Sequence, residues 1–154
     1  MKKKRPQDGT IRNKRARFDY ELGDSYVLGI VLNGRETKNL RLGHGQLTGA
    51  YVTIKDGELW LINALISGTN GIPLDESEQT QARKLLASKK EIKELIAAKQ
   101  QGFQVLPTDI LTKGKYIKVR VAVGKSKKHQ DKRQTIKRRE DNISAQREMR
   151  NTWR

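Results

Sequence analysis

The side chains in this sequence whose type and spacing favour a chemical role are cations gathered at its two ends. Of the 154 residues, 33 are Lys or Arg and 17 are Asp or Glu, which gives a net charge of +16. Residues 1–17 contain eight Lys or Arg and one acid, residues 124–154 contain eleven and four, and residues 18–123 are nearly neutral. Such cations bind phosphate groups through charge-assisted hydrogen bonds. A nearly neutral body with two cationic ends therefore indicates a polyanionic partner.

Nucleic acid is the polyanion that this charge pattern favours. Cationic ends that served only solubility would not require an excess of seven charges each. A membrane surface would require the charges to accompany a broad apolar face, and neither end has one. Because aromatic residues make up only 5% of the chain, we expect RNA to be bound through shape and phosphate contacts more than through base stacking.

The residues that catalysis or metal binding would require are not grouped in the sequence. His44 lies between glycines and His129 follows two lysines, and neither has a Ser nucleophile or a second metal ligand at suitable spacing. The acidic pair Asp75-Glu76 is explained by a helix start. Cys is absent, which excludes disulfides and thiolate ligands. The sequence therefore predicts a binding protein with no enzyme activity, no metal and no cofactor.

Composition also predicts a soluble, cytoplasmic protein with no membrane partner. No apolar run approaches the roughly 20 residues of a membrane helix. Residues 1–6 (MKKKRP) are basic but lack the apolar stretch of a secretion signal. We expect the free protein to be a monomer.

The elements that must position the cations are predicted from periodicity and turn signals. Residues 1–12 are polar and basic and predict a disordered arm. Residues 18–22 alternate between apolar and polar side chains, as a half-buried strand does. Residues 26–32 (YVLGIVL) are apolar throughout and fit a buried strand or a short helix. Asn33-Gly34 predicts a turn, and residues 36–41 resume in an extended style.

The middle of the chain gives stronger local signals. Two strands, at residues 50–55 and 58–66, flank Asp56-Gly57 and predict a hairpin. A helix start follows Pro73, with Ala82, Leu85 and Leu86 at helical spacing. Ser88 and Glu91 match a capping box, which predicts a second helix that ends at Gly102.

Two further strands and a basic tail complete the chain. The strands are predicted at residues 103–111 and 116–123, and in the second the branched aliphatic residues point inward, so that Lys118 and Arg120 face outward. About six short strands with a helical insertion suggest a small closed barrel. The tail, residues 124–154, has too few apolar anchors to offset its ordering entropy and predicts disorder in the free protein.

Three groups of motifs follow one another in the order found in a known family. They are NKRARFDY at residues 13–20; GRETKNLRLG at 34–43 with AYV at 50–52 and GELWLINA at 57–64; and RKLL at 83–86 with GKSKKHQDKR at 124–133 and IKRRE at 136–140. In that order they resemble the SsrA-binding protein family, also called small protein B, over roughly residues 11–150. Gln130 departs from the aromatic residue or His that usually precedes the DKR motif.

The resemblance implies a fold and a function. The fold is an oligonucleotide-binding (OB) barrel of six antiparallel strands with about three helices, over residues 13–123, with a helical insertion at 75–101. It assigns residues 26–32 to a short first helix. The function is ribosome rescue by trans-translation: the protein binds the tRNA-like domain of transfer-messenger RNA and delivers it to stalled ribosomes. On the ribosome, whose decoding centre and mRNA channel are the expected partners, the body then substitutes for the missing anticodon arm, and the tail enters the vacant mRNA channel as a helix.

A second function remains open from the residues alone. An OB-fold ribosomal protein or translation factor that binds ribosomal RNA would share the charge and the strands. It gives no reason for the DKR motif in the tail, which favours the first interpretation.

Candidate sites follow from the charge pattern and the matched motifs. The predicted RNA-binding residues are Asn13, Lys14, Arg15, Arg17, Glu36, Lys38, Arg41, Arg83, Lys84, Lys118, Lys125, Lys127 and Lys128. The predicted ribosome-contacting residues of the tail are Asp131, Lys132, Arg133, Ile136, Lys137, Arg138, Arg139, Ile143, Arg147, Met149 and Arg150.

Two of the candidate residues have alternative explanations. Glu36 either orients its neighbours Arg35 and Lys38 through ion pairs, or accepts hydrogen bonds from a base edge or a 2′-hydroxyl. Trp60 alternates with apolar neighbours, which favours the core or the barrel rim over a stacking platform.

Overall fold

The structure, a computed structural model, describes residues 9–152, apart from the side chains of residues 129–131. Within this range nine strands form: β1 (Thr10–Arg12), β2 (Tyr20–Ile30), β3 (Gly45–Gln46), β4 (Tyr51–Lys55), β5 (Glu58–Ile62), β6 (Leu65–Ile66), β7 (Arg83–Leu86), β8 (Gln104–Leu111) and β9 (Lys118–Ser126). The helices of this range are α1 (Lys14–Asp19), α2 (Gly34–Arg41), α3 (Glu76–Gln79), α4 (Lys89–Gln100) and α5 (His129–Thr152). The fold is mainly β with flanking helices, as predicted.

One antiparallel sheet forms most of the fold. Its seven strands run in the order β1-β8-β9-β2-β7-β5-β4, and β3 and β6 form a separate pair. The sheet curls so that its edge strand β4 packs against β8, but over residues 9–152 no strand pairing closes it into a barrel. The predicted closed barrel of six strands is therefore wrong, because segments predicted as an arm and as a helix add β1 and β7 to an open sheet.

The concave face of the curled sheet holds the hydrophobic core. Leu28, Leu59, Leu61, Val119 and Val121 are at most 1% exposed and belong to one buried cluster. Burying each such side chain contributes roughly 1.5–3 kcal/mol relative to leaving it in water. Because side chains alternate along a strand, the residues between them point to the convex face, which is the outer face of the sheet.

The N-terminal segment is more ordered than predicted. Residues 1–8 of the predicted arm lie outside the described residues, but Thr10–Arg12 pair with Leu111–Asp109 of β8. Helix α1 follows because the Asn13 side chain accepts a hydrogen bond from the backbone N–H of Ala16 and caps the helix. The disordered arm therefore does not extend to Thr10, and Phe18 and Asp19 belong to α1 rather than to the predicted strand.

Residues 26–30 are a strand, so the first helix implied by the family resemblance is wrong. They belong to β2, which pairs with β9 on one side and with β7 on the other. The apolar character of the whole run has a simple cause: Leu28 points into the core, while Val27 and Val31 remain about half exposed on the outer face.

Two other elements differ from the prediction in type. Residues 34–41 form α2, because Asn33 and Glu36 build a capping box at its start, and the predicted extended segment is wrong. Residues 83–86, predicted as helix, form β7 between β2 and β5. This strand is fixed by pairing with residues distant in the chain, which overrides the local helical spacing.

The strongest local signals are confirmed. Asp56 and Gly57 have φ of 53° and 71°, which is the left-handed geometry of a tight two-residue turn between β4 and β5. Ser88 and Glu91 form the predicted capping box of α4. The chain leaves α4 through Gly102, whose φ of +91° is a conformation that glycine adopts without strain.

The C-terminal segment differs from the predicted disordered tail. Gly124–Ser126 continue β9, where they pair with Leu22–Tyr20 of β2, and residues 129–152 form α5. The helix keeps its apolar residues Ile136, Ile143 and Met149 at 44–66% exposure. It therefore buries little surface, as its composition indicates.

Candidate nucleic-acid interface

Helix α1 presents three of the predicted RNA-binding cations on one surface. Its buried side is anchored by Ala16, and the helix packs on β2 and β8. Lys14, Arg15 and Arg17 consequently lie on the exposed side. Exposed guanidinium and ammonium groups in this arrangement suit contacts to successive phosphates.

The end of β9 brings further cations to the same place. The backbone N–H of Lys127 donates to the carbonyl of Asp19 at 3.0 Å, and its Nζ donates to the carbonyl of Arg17 at 3.3 Å. Lys125 and Lys128, on either side, are exposed. We call this set the α1 surface; it comprises Lys14, Arg15, Arg17, Lys125, Lys127 and Lys128.

Arg17 and Arg120 meet at a single buried carboxylate. Arg17 Nη2 lies 3.0 Å from Asp109 Oδ2, and Arg120 Nη1 lies 3.3 Å from the same oxygen. Asp109 and Arg120 are opposite each other on β8 and β9, so Arg120 faces outward as predicted. The pairing of both cations with Asp109 is not predicted from the sequence, since an acid inside an apolar strand gives no local signal of its partners.

Asp19 links the α1 surface to the start of α5. Its carboxylate accepts from Arg15 Nε at 2.7 Å and from Lys132 Nζ at 3.2 Å. Partial burial opposes ionisation, but the hydrogen bonds from Lys132 and Arg15 outweigh it and hold the pKa of Asp19 below its usual value. Further along α5, the Arg139 guanidinium lies 5.6 Å from the centre of the Phe18 ring.

Beyond these contacts α5 presents the predicted ribosome-contacting side chains to solvent. Its exposed residues include Arg133, Ile136, Lys137, Arg138, Arg139, Ile143, Arg147, Met149 and Arg150. Lys132 is half-buried through its pair with Asp19. The predicted role of the Asp131 side chain lies outside the described residues.

The structure places Glu36 and Arg83 in the interior, where neither can contact RNA. Glu36 accepts hydrogen bonds from Arg83 Nε and Gln81 Nε2. Burial lowers the pKa of the Arg83 guanidinium from its usual value, and the Glu36 carboxylate opposes this shift. Glu36 therefore pairs with a cation, as one of its two explanations expected, but the cation is not Arg35, which pairs with Glu78.

Three other predicted residues also have structural partners. Asn13 is 3% exposed and donates to the carbonyls of Leu47 and Pro107, so its side chain is buried instead of presented to RNA. The Arg41 guanidinium donates to the carbonyls of Thr112, Gly114 and Lys115, which stabilises the loop between β8 and β9. Lys84 pairs with Glu58 at 2.9 Å.

The remaining candidates are exposed on other elements. Lys38 is exposed on α2, and Lys118 is exposed on the outer face of β9. Trp60 points to the outer face with Thr53 and Lys84, its neighbours on the adjacent strands, and is half-buried. Trp60 therefore does not belong to the core, and its half-buried position corresponds to the rim, the other position predicted for it.

A cavity of about 770 Å³ lies between β2 and α4 and is lined by Tyr26, Glu94 and Phe103 among others. Tyr26 donates its hydroxyl hydrogen to Glu94 at 2.8 Å, and this bond to a carboxylate, with some burial, raises the pKa of Tyr26 to about 12.

In the part of the chain that the structure describes, no three His, Asp or Glu residues group as metal ligands. No described helix is long and apolar enough to cross a membrane.

A curled antiparallel sheet whose flanking helices gather cations on one exposed surface defines a nucleic-acid-binding class of protein. The family model of the SmpB protein matches residues 10–151. The SsrA-binding proteins of Trichormus variabilis and Saccharophagus degradans are each 41% identical to this chain, over 90% and 95% of it and 91% and 94% of their own lengths. That of Coxiella burnetii is 43% identical over 89% of this chain and 88% of its own.

A solved structure agrees with these relatives. A chain from "tmRNA-SmpB: a journey to the center of the bacterial ribosome" is 34% identical, with a TM-score of 0.65, and the match covers 79% of this chain and 86% of that one. The chain described here belongs to the SmpB family, which confirms the resemblance found in its sequence.

Proposed function

We propose that this protein binds the tRNA-like domain of transfer-messenger RNA and carries it to stalled ribosomes in trans-translation. Its relatives are named as SsrA-binding proteins, and a similar chain belongs to a tmRNA-SmpB structure on the bacterial ribosome. The observation that carries the proposal is the α1 surface, where α1, β9 and the start of α5 bring their cations together.

The α1 surface suits a folded RNA more than a particular base sequence. Its donors are guanidinium and ammonium groups, which bind phosphates and fix the register of an RNA without reading bases. In this proposal the curled sheet serves as an OB-type body, open rather than closed, that holds α1 against the RNA. Recognition of the tRNA-like domain then follows from its shape.

The tail has a separate role in the proposal. Helix α5 carries cations along its length and exposes its apolar residues, and its described contacts to the body lie in its first half. We propose that it enters the vacant mRNA channel beyond the decoding centre, where ribosomal RNA phosphates match its charge.

A binding role, without catalysis, fits the same observations. The charged groups that the structure brings together pair with one another or face solvent as cations. We accordingly propose that the protein acts as an RNA carrier on ribosomes of the bacterial cytoplasm, without an enzymatic activity of its own.

Sequencing the RNA that copurifies with the protein tests the proposal. We expect one long RNA with a tRNA-like end to be enriched over its abundance in the lysate, and the enrichment to disappear when the α1 surface is neutralised. If ribosomal RNA alone is recovered, the protein is instead a ribosomal protein or translation factor, as the second interpretation of the sequence expects.

A further inference from the structure

A buried carboxylate lies beneath two partly exposed guanidinium groups on the outer face of the sheet. The Asp109 side chain is 1% exposed, whereas those of Arg17 and Arg120 are 52% and 41% exposed. Arg17 Nη2 donates to both Asp109 oxygens, at 3.0 and 3.3 Å, and Arg120 Nη1 donates to Oδ2 at 3.3 Å. The buried carboxylate thus restrains both guanidinium groups through hydrogen bonds on their side facing the sheet.

Three separate elements create this arrangement. The register of β8 against β9 shifts between Pro107 and Asp109, and after the shift Asp109 lies opposite Arg120. The Thr108 hydroxyl, 3.1 Å from Oδ2, fixes the carboxylate from the side. Helix α1 then adds Arg17 from above. A register shift of this kind, as in a β-bulge, often redirects a side chain at a functional position.

One carboxylate cannot neutralise two guanidinium groups, so the cluster keeps a net positive charge. Each guanidinium has five N–H donors in a planar fork, and the contacts to Asp109 use only one nitrogen of each. The outward edges remain available to an acceptor in solvent. Arg12, opposite Asp109 on β1, is exposed beside them.

We propose that Arg17 and Arg120 form a clamp for one phosphodiester group of the bound RNA, and that Asp109 is its positioning residue. The proposal rests on the function proposed above, and adds a site and two residues to it. Planar guanidinium groups bind phosphate oxygens in pairs. A carboxylate that restrains both side chains in advance lowers the conformational entropy cost of binding.

Substitution of Arg120 tests the clamp directly, because this half-exposed residue can change without disturbing the core. We expect Arg120→Gln to weaken binding to the tRNA-like domain about tenfold, the effect of removing one charge-assisted hydrogen bond. Arg120→Lys keeps the charge but not the planar, forked arrangement of N–H donors. We expect it to recover, on a logarithmic scale, less than half of the affinity that Arg120→Gln loses. The matched control is Lys55→Gln, which removes one exposed charge at the tip of the β4–β5 hairpin.

Substitution of Asp109 separates positioning from net charge. Asp109→Asn keeps the shape of the side chain and makes the surface more positive, so charge alone predicts tighter RNA binding. The clamp predicts weaker binding, by several-fold, measured at a temperature where the melting curve of Asp109→Asn shows the variant to be folded. Binding of Asp109→Asn that equals or exceeds that of the unmodified protein overturns the positioning role.

The outcomes distinguish this inference from the proposed function. If the unmodified protein does not prefer the tRNA-like domain over a duplex RNA of equal length, the proposed function fails. If it has that preference but Arg120→Gln and Arg120→Lys bind like the Lys55→Gln control, the function stands and the clamp is wrong. The Arg120 variants give this answer even if Asp109→Asn does not fold.

Discussion

The Glu36 carboxylate accepts a hydrogen bond from Nε of Arg83 at 3.2 Å, and both side chains are 2% exposed. The other donors of Arg83 bind the carbonyls of Ala64, Glu78, Gln79 and Gln81. This buried ion pair joins α2 to the start of β7. Two residues that match the family motifs therefore support the fold instead of facing RNA.

Removing one charge of this pair is expected to destabilise the protein strongly. Glu36→Gln retains an acceptor for the capping box but leaves the Arg83 charge buried without a counterion, which typically costs about 3–5 kcal/mol. The measurement is the free energy of unfolding in urea. Arg35→Gln, which breaks the exposed pair with Glu78, is the control and is expected to cost at most about 1 kcal/mol. A Glu36→Gln protein of normal stability and reduced RNA affinity would return Glu36 to the interface.

Neutralising α1 is expected to weaken RNA binding without affecting stability. Lys14→Gln with Arg15→Gln removes two exposed cations, which we expect to weaken binding to the tRNA-like domain by about 1–3 kcal/mol at near-physiological salt. Lys55→Gln with Lys93→Gln removes the same charge from the β4–β5 hairpin and α4 and serves as the control. A gel-shift titration measures both, and equal affinities for the two double variants would contradict the assignment of α1.

The salt dependence of binding provides an independent check on the same surface. Binding to each phosphate releases condensed counterions, so affinity falls steeply as salt is added. When the logarithm of the affinity is plotted against the logarithm of the salt concentration, removing one phosphate-binding cation makes the slope shallower by about one. The Lys14 and Arg15 double variant is therefore expected to have a shallower slope by about two. A flat salt response of the unmodified protein would exclude an interface dominated by phosphates.

The contact between Asp19 and Lys132 is expected to depend on pH. Because the folded-state pKa of Asp19 lies below its ordinary value of 3.8, its ionised form stabilises the docked α5 fully above that value, and this contribution disappears as the pH falls through the folded-state value. An NMR titration that follows the Asp19 carboxyl and the amide signals of α5 together measures this. In Asp19→Asn we expect α5 to be detached at neutral pH as well. If the α5 signals of Asp19→Asn match those of the unmodified protein at pH 7, the contact does not hold the helix.

The sequence predicted those elements whose cause is local. The Asp56-Gly57 turn needs two left-handed residues and the start of α4 needs a serine with a glutamate three residues on, and both conditions are visible in a few letters. The start of α2 has an equally local signal, since Asn33 and Glu36 have the same spacing as Ser88 and Glu91, but Asn33-Gly34 also matches a turn. A competing local pattern therefore explains that error.

Elements fixed by distant contacts were not predictable in the same way. Leu85 and Leu86 fit a helix by spacing, but β7 is held between β2 and β5, so Leu85 is buried and Leu86 is exposed. For the candidate site, charge patterning indicated Lys14, Arg15 and Arg17, which lie exposed on α1. It could not show that Arg83 is buried, because burial depends on carbonyls that the fold brings from other segments.

Removal of the tail is expected to leave the body intact. Ending the chain after Arg133 keeps the pair of Lys132 with Asp19 but removes Arg139 and the exposed Ile136, Ile143 and Met149. The cation–π contact of Arg139 with Phe18 contributes about 0.5–1 kcal/mol at an exposed site, so the melting temperature is expected to fall only slightly. RNA binding is expected to survive, slightly weakened by the reduced charge. A large drop in melting temperature would show that α5 is part of the folded body.

The same truncation is expected to abolish tagging of nascent chains on stalled ribosomes, because the mRNA channel would lose its occupant.

Ile143→Pro, which keeps every charge, then tests whether the helix itself is required, since a proline inside a helix costs about 3 kcal/mol or more. Ile143→Ala is the matched control, because it removes a similar apolar side chain from an exposed position but preserves the helix. We expect tagging in a reconstituted translation system to be strongly reduced by Ile143→Pro and little changed by Ile143→Ala. If the truncated protein tags at the normal rate, the tail has no role in rescue. If truncation abolishes tagging while Ile143→Pro supports it fully, the tail acts as an unstructured polycation, and the helical conformation of α5 is not the one that works on the ribosome.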